Sequence, residues 1–381
     1  MNPQPTNPRP LADRPLAGDP RYDTFLGRGP DRIVHWEHWS NPDAESYLTG
    51  IDYYAHPRDC RLRLQELYPQ LGLPVPADDT PRKRPTIGTA AEAAGAGEAR
   101  TRWGETESAS WDFGRAFTTV EQVFASSPLE LAAARKIRGA PFDDVSSEEA
   151  IYAQAMARFA PGLAAGDPAP AGSGETAWFY NTLFMWPILT YGWELFLETC
   201  LDPEFDRLMD EFAEISRRVF RALARVPVHF VTCHDDIATT RGPVCSPDWL
   251  RRHIYPRYEE YWGLLKAGGK EVIFMADGCV DACVDDVMAC GARGIISEPY
   301  TDYKAIARRY DHPFLAGEGD NLVLCRNNPA EIEAMVRSMV ETGRMSGGYM
   351  LCIGNHIPWN VPGEAVKRYL DLAAALGWRT K

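Results

Sequence analysis

From residue 226 to the C-terminus, short apolar runs alternate with stretches of helical periodicity, and this alternation restricts the fold more than any other feature. The runs are VPVHFVTCHDDI, KEVIFMADG, GARGIISEP, HPFLAGEGD and GGYMLCIGN. Ahead of them, Asp202-Pro203-Glu204 has the form of a helix cap with proline in the first turn. Phe205, Leu208, Met209, Phe212, Ile215, Val219 and Leu223 then recur at the spacing of one helix face. Ser246-Pro247 opens a second helix, through Trp249, Leu250, Ile254 and Tyr258. A third is expected from Val280 to Cys290 and a short one from Tyr303 to Tyr310. Asn328-Pro329 caps another, expected to close at Gly343, and the last runs from Gly363 to Leu376. Strands that alternate with helices pair in parallel through right-handed crossovers. Runs this apolar suit strands buried on both faces. An open doubly wound sheet and a closed (β/α)8 TIM barrel both satisfy the pattern. The first run lacks a glycine-rich phosphate loop, which disfavours a nucleotide-binding sheet.

Each run ends in polar or ionisable residues. They are His234-Asp235-Asp236, Asp277, Glu298, Glu318 with Asp320, and Asn355-His356. The first expected strand, DRIVHWEHW, ends in His35, Glu37 and His38 beside Trp36. In a parallel barrel such ends meet on one face, where active sites lie. Asp236, Asp277 and His356 are therefore candidate catalytic groups, with Tyr180 as a candidate donor. His234, Asp235, Glu298, Asn355, Trp36 and Arg241 are candidates for contact with substrate. Clustered carboxylates push one pKa up, leaving a protonated acid beside an ionised base. In an extended segment His35 and Glu37 share one face and His38 points the other way. With Asp277 or His356, these three could hold a divalent metal through imidazole and carboxylate ligands. The bland alternatives are helix caps, loop ion pairs and a polar lining.

Composition closes off other classes. Forty Lys and Arg stand against 53 Asp and Glu, a net charge of −13, which repels phosphate backbones and disfavours nucleic acid. Nine scattered cysteines with no CxxC fit a reducing cytoplasm better than a disulfide framework or a zinc ribbon. Cys279, Cys283 and Cys290 read as small buried residues. The most apolar window, 177–197, is interrupted by Asn181, Pro187, Gly192 and Glu194, so it reads as core and not as a membrane span. Its aromatics, from Trp178 to Trp193, are chiefly core, although some could line a site for a flat ligand. Residues 1–30 are expected to be a Pro-rich arm. Pro74–Ser110 and Pro161–Gly174 read as inserted loops.

The segments Trp103-Gly104 before Trp111, HDDIATTRGPVCSPDWLRRHIYPR (234–257), KEVIFMADG (270–278) and GGYMLCIGNHIPWNVPGEAV (347–366) together resemble the uroporphyrinogen decarboxylase superfamily, which includes corrinoid-dependent methyltransferases. The resemblance covers residues from about 31 to the end. It implies a single α/β domain over 31–381, a (β/α)8 TIM barrel with an N-terminal extension and inserted loops. It also implies a corrinoid as carrier, with a corrinoid protein as partner, and a homodimer. The zinc-dependent thiol methyltransferases of that family carry His-x-Cys where Met275 and Asp277 stand here, and a later cysteine where Asn355 stands. The usual zinc site is thus expected to be absent. The Arg-rich motif that grips tetrapyrrole carboxylates is replaced by HWEHWSN. Three readings follow. The first is methyl transfer from a small substrate to a corrinoid or related carrier, with Asp and His assisting the leaving group. The second is a decarboxylase acting on a carboxylated aromatic or tetrapyrrole. The third is a non-catalytic barrel that binds a small molecule.

Overall fold

A computed structural model of the chain describes residues 19–71, 73–84, 116–160 and 176–380. Residues 1–18 of the expected arm, the greater part of the first inserted loop, the second loop and the Trp103–Trp111 segment lie outside them. The described residues pack as two units. One comprises 19–22, 116–160 and 176–296; the other comprises 23–71, 73–84 and 297–380.

The first unit is built on four parallel strands in the order Thr176–Phe179, Phe230–His234, Glu271–Met275 and Gly294–Ile296. Register pairs Phe179 with Cys233, His234 with Met275, and Met275 with Ile296. All five residues of Phe230–His234 are buried, as a strand covered on both faces requires. The helix Phe205–Arg225 begins two residues beyond Pro203, with Glu204 and not Asp202 at its cap, and buries the apolar stripe that the spacing predicts. Its Phe220 stacks on Tyr261 at 4.9 Å, and Tyr261 Oη donates to the Ala213 carbonyl at 2.8 Å. Ser246 caps the next helix by accepting from Trp249 N. The expected single helix breaks at Ile254 into Pro247–His253 and Tyr255–Ala267, because Pro256 removes an amide donor there. The helix expected from Val280 is shorter, Val284–Ala289, with Cys283 buried and Cys279 and Cys290 partly so.

The 177–197 window holds a strand end, a buried helix Met185–Tyr191, a break at Gly192 and the helix Trp193–Thr199. No helix among the described residues is long and apolar enough to cross a membrane.

The second unit also pairs its strands in parallel. Val34–His35 lies against Met350–Leu351, and Trp39–Ser40 against Ile357–Pro358. Parallel bridges join Leu315 to Tyr349 and Gly319 to Ile353. Pro20–Phe25 is helical and buries Tyr22 and Thr24, so the segment read as an arm has ordered, packed structure from residue 20. The reason is local: Tyr22 packs edge-on against His229 and Phe230 of its own unit.

Gly343 does not end its helix, which runs on to Met345. A Cβ there would lie 2.5 Å from Ile33 Cδ1, so this glycine admits a close neighbour instead. Gly317 is more demanding. It has φ of +99°, and a Cβ would sit 1.9 Å from the Ser297 carbonyl oxygen. Gly317→Ala is expected to cost about 3 kcal/mol through backbone strain and overpacking. Urea denaturation checks this; a loss under about 0.5 kcal/mol would contradict it.

Candidate functional site

The end of strand Phe230–His234 carries three ionisable residues in a row, and their side chains take different partners. Asp235 is fully buried. Its Oδ2 accepts from Leu183 N and Phe184 N, both at 2.6 Å, and from Tyr258 Oη at 2.7 Å; its Oδ1 accepts from Met185 N at 2.8 Å. Burial raises its pKa to about 6, and the four donors restrain the rise. Asp235 was expected at the substrate. It is instead a frame residue that ties the start of helix Met185–Tyr191 to the strand, where amide groups favour a carboxylate.

His234 and Asp236 lie two residues apart in extended backbone and therefore share a face. His234 Nε2 donates to Asp236 Oδ1 at 2.8 Å, and Asp277 N donates to the same oxygen at 2.9 Å. Exposure is 1% for His234 and 8% for Asp236. Burial opposes charge on both. The hydrogen bond and attraction between them outweigh it, raising the His234 pKa and lowering that of Asp236. Asp277 and Asp235 add to the upward pull on His234. His234 Nδ1 is buried without a hydrogen-bond partner. Tyr180, 47% exposed, lies over the imidazole with ring centroids 4.1 Å apart, and Trp178 stands edge-on to Tyr180 at 4.9 Å. Trp178 Nε1 donates to Met275 Sδ at 3.4 Å. Asp236, Asp277, Tyr180 and His234, all sequence candidates, are thus gathered at one place, with His234 at the centre.

Of the expected carboxylate cluster, Asp236 and Asp277 do come together, with carboxylate oxygens within 4.8 Å, while Asp235 turns away. Asp235 and Asp236 do not face one another, since neighbours in an extended segment alternate. The charge partner of Asp236 is an imidazole.

In the second unit, His35 Nε2 donates to Glu37 Oε1 at 2.8 Å. Tyr369 Oη also donates to Oε1, and Ile353 N donates to Oε2 at 3.1 Å. His38 is exposed and turned elsewhere, with its ring 6.4 Å from Trp36 and 5.7 Å from His356. His35, Glu37 and His38 therefore do not form the expected metal-ligand set: strand alternation separates His38, and the Glu37 oxygens accept from protein donors. His356 Nδ1 meets Asn355 Oδ1 at 2.6 Å, with Asn355 exposed in left-handed backbone, φ 62°. Glu298 is half-buried in this unit. Arg241, in the first unit, is exposed at a hairpin tip, its amide donating to Thr239 Oγ1. Arg257 is paired with Asp210.

Among the described residues, two groups bring three metal-capable side chains together with donor atoms within 4.8 Å: His234, Asp236 and Asp277, and the largely exposed His56, Asp59 and Asp79. In the latter, Asp79 accepts from Arg58 N and Asp59 N and so caps the helix Pro57–Leu67. A zinc thiolate centre does not fit the first group, which offers imidazole and carboxylate only, with Met275 engaged by Trp178.

Residues 196–376 match the family model for uroporphyrinogen decarboxylase (URO-D). A methyltransferase from Methanosarcina mazei is similar in structure, with a TM-score of 0.53 and 16% identity over 93% of this chain and 97% of that one. Over residues 196–376 the chain is similar to the uroporphyrinogen decarboxylase family. At 16% identity the structural likeness is one of fold, and the superfamily's fold is the (β/α)8 TIM barrel. The parallel strands and intervening helices of both units belong to that class. No curated protein sequence matches the chain. The family match supports an enzyme.

One signal in the sequence would have singled out His234. The pattern His-x-acid occurs at the ends of two apolar runs, His35-x-Glu37 and His234-x-Asp236, and both form a 2.8 Å pair. The strand Thr176–Phe179, which presents Trp178 and leads to Tyr180, was hidden in an aromatic-rich window that reads as core.

Proposed function

We propose that this protein transfers a methyl group from a small methoxy-bearing substrate to a corrinoid or related carrier, with His234 protonating the leaving oxygen. The observation that carries this reading is the buried His234 ring, held by Asp236 on Nε2 and without a partner on Nδ1. The URO-D match and the likeness to a methyltransferase support it.

Asp236 favours the charged imidazole and sets its plane, so Nδ1–H becomes the proton to give. As the acceptor, a second substrate, attacks the methyl carbon, the C–O bond breaks and its electron pair stays on oxygen. That oxygen takes the Nδ1 proton. His234 is left neutral and still bonded to Asp236, and water restores its proton. Such general-acid help is worth about 10²–10⁴ in rate. Because Nδ1 is buried, reaction there requires a substrate ring to displace Tyr180, and Trp178 offers such a ring an aromatic edge.

The test supplies the full chain with methyl aryl ethers and free cob(I)alamin without oxygen. Phenol release with methylation of the cobalamin is expected, and the rate should fall as pH rises through the raised His234 pKa. Carbon dioxide release from aromatic carboxylates without demethylation would replace this reading with the decarboxylase one. Binding without turnover would leave the non-catalytic barrel.

A further inference from the structure

We infer that His35 is a second proton-transfer centre, a base whose Nδ1 accepts from an O–H or N–H group of a bound small molecule. The second unit contains a network built like the first. Glu37 is 1% exposed, and its carboxylate accepts from Tyr369 Oη and His35 Nε2 on one oxygen and from Ile353 N on the other. With those donors converging on it, Glu37 is an acceptor, so the proton on the His35–Glu37 bond belongs to Nε2. That fixes the tautomer, and the Tyr369 ring, edge-on to His35 at 5.3 Å and 82°, fixes the ring plane. Nδ1 has no hydrogen-bond partner among the described residues. The His35 side chain keeps 6% of its surface, and Nδ1 is not among the sealed, unpartnered polar atoms that include Nδ1 of His234.

A purely structural role would tie the strand end to Ile353 and to the helix Gly363–Leu376, and Glu37 with Tyr369 already does this. The imidazole adds one thing to that tie, a basic nitrogen of set direction. Proton uptake at Nδ1 would create an imidazolium that Glu37 stabilises, and release to water would return it. The titratable groups that face the pair are Tyr369 and Cys352, both buried.

Two measurements test this. Histidine-labelled full-length protein is examined by ring nitrogen NMR. In the neutral ring of His35, Nε2 should carry the proton and Nδ1 the lone pair. A proton resident on Nδ1 with Nε2 bare would overturn the inference. His35→Gln retains a donor to Glu37 but has no basic nitrogen. It should melt like the native protein, because Glu37 with Tyr369 already carries the structural tie; a large fall in melting temperature would make His35 a structural residue and overturn the inference.

Discussion

His234→Ala is expected to lower kcat/KM for demethylation by about 10²–10⁴, or about 3–5 kcal/mol of transition-state stabilisation. The size of the loss should depend on the leaving group. An ether of an acidic phenol needs little protonation and should lose least, while an alkyl ether should lose most. His234→Gln separates chemistry from packing, because its side-chain amide can still donate to Asp236, whose carboxylate accepts the native bond at 2.8 Å. It should fold normally and remain slow. The pH profile follows from the direction of the shift. The acid form of His234 is the active one, and Asp236 raises its pKa above the ordinary imidazole value. Activity is therefore retained to a higher pH than a free histidine would allow and declines beyond. A loss of equal size for every leaving group would sink the general-acid role.

Asp235→Ala should be among the most damaging substitutions for stability, costing about 3–5 kcal/mol. It strips partners from Leu183 N, Phe184 N, Met185 N and Tyr258 Oη in a fully buried place. The loss would spread to the site, because the freed segment directly follows Tyr180. Asp235 also sets a pH dependence of its own. Its folded pKa, about 6, is above the unfolded value, so the folded state holds the extra proton. Stability therefore falls as pH rises from about 4 to about 6, by about 3 kcal/mol from this group. Asp235→Asn keeps one oxygen acceptor and should remove that slope while costing less than alanine. Urea titrations at pH 4 and 7 measure both effects; an alanine variant within about 1 kcal/mol of the native protein would refute the frame role.

Much of this organisation is legible from residue order. The stripe from Phe205 to Leu223, the caps at Ser246 and Asn328, and the apolar runs ending in His234, Met275 and Ile296 all appear as read. They are local patterns, determined by residues within one or two turns of each other. The exceptions have local causes visible only in context. Gly343 reads as a stop but serves a close approach to Ile33, and the arm reads as loose although Tyr22 finds an aromatic partner.

For the site, the sequence alone determined which side chains stand at the strand ends, because a period of two and an apolar run place them there. Tertiary structure decided what each one does. Asp235 and Asp236 are adjacent and chemically identical, yet one meets a helix start and Tyr258 and the other meets His234 and the amide of Asp277. Charge state follows from those partners and from burial. Both come from segments distant along the chain, and neither is encoded in the identity of an aspartate.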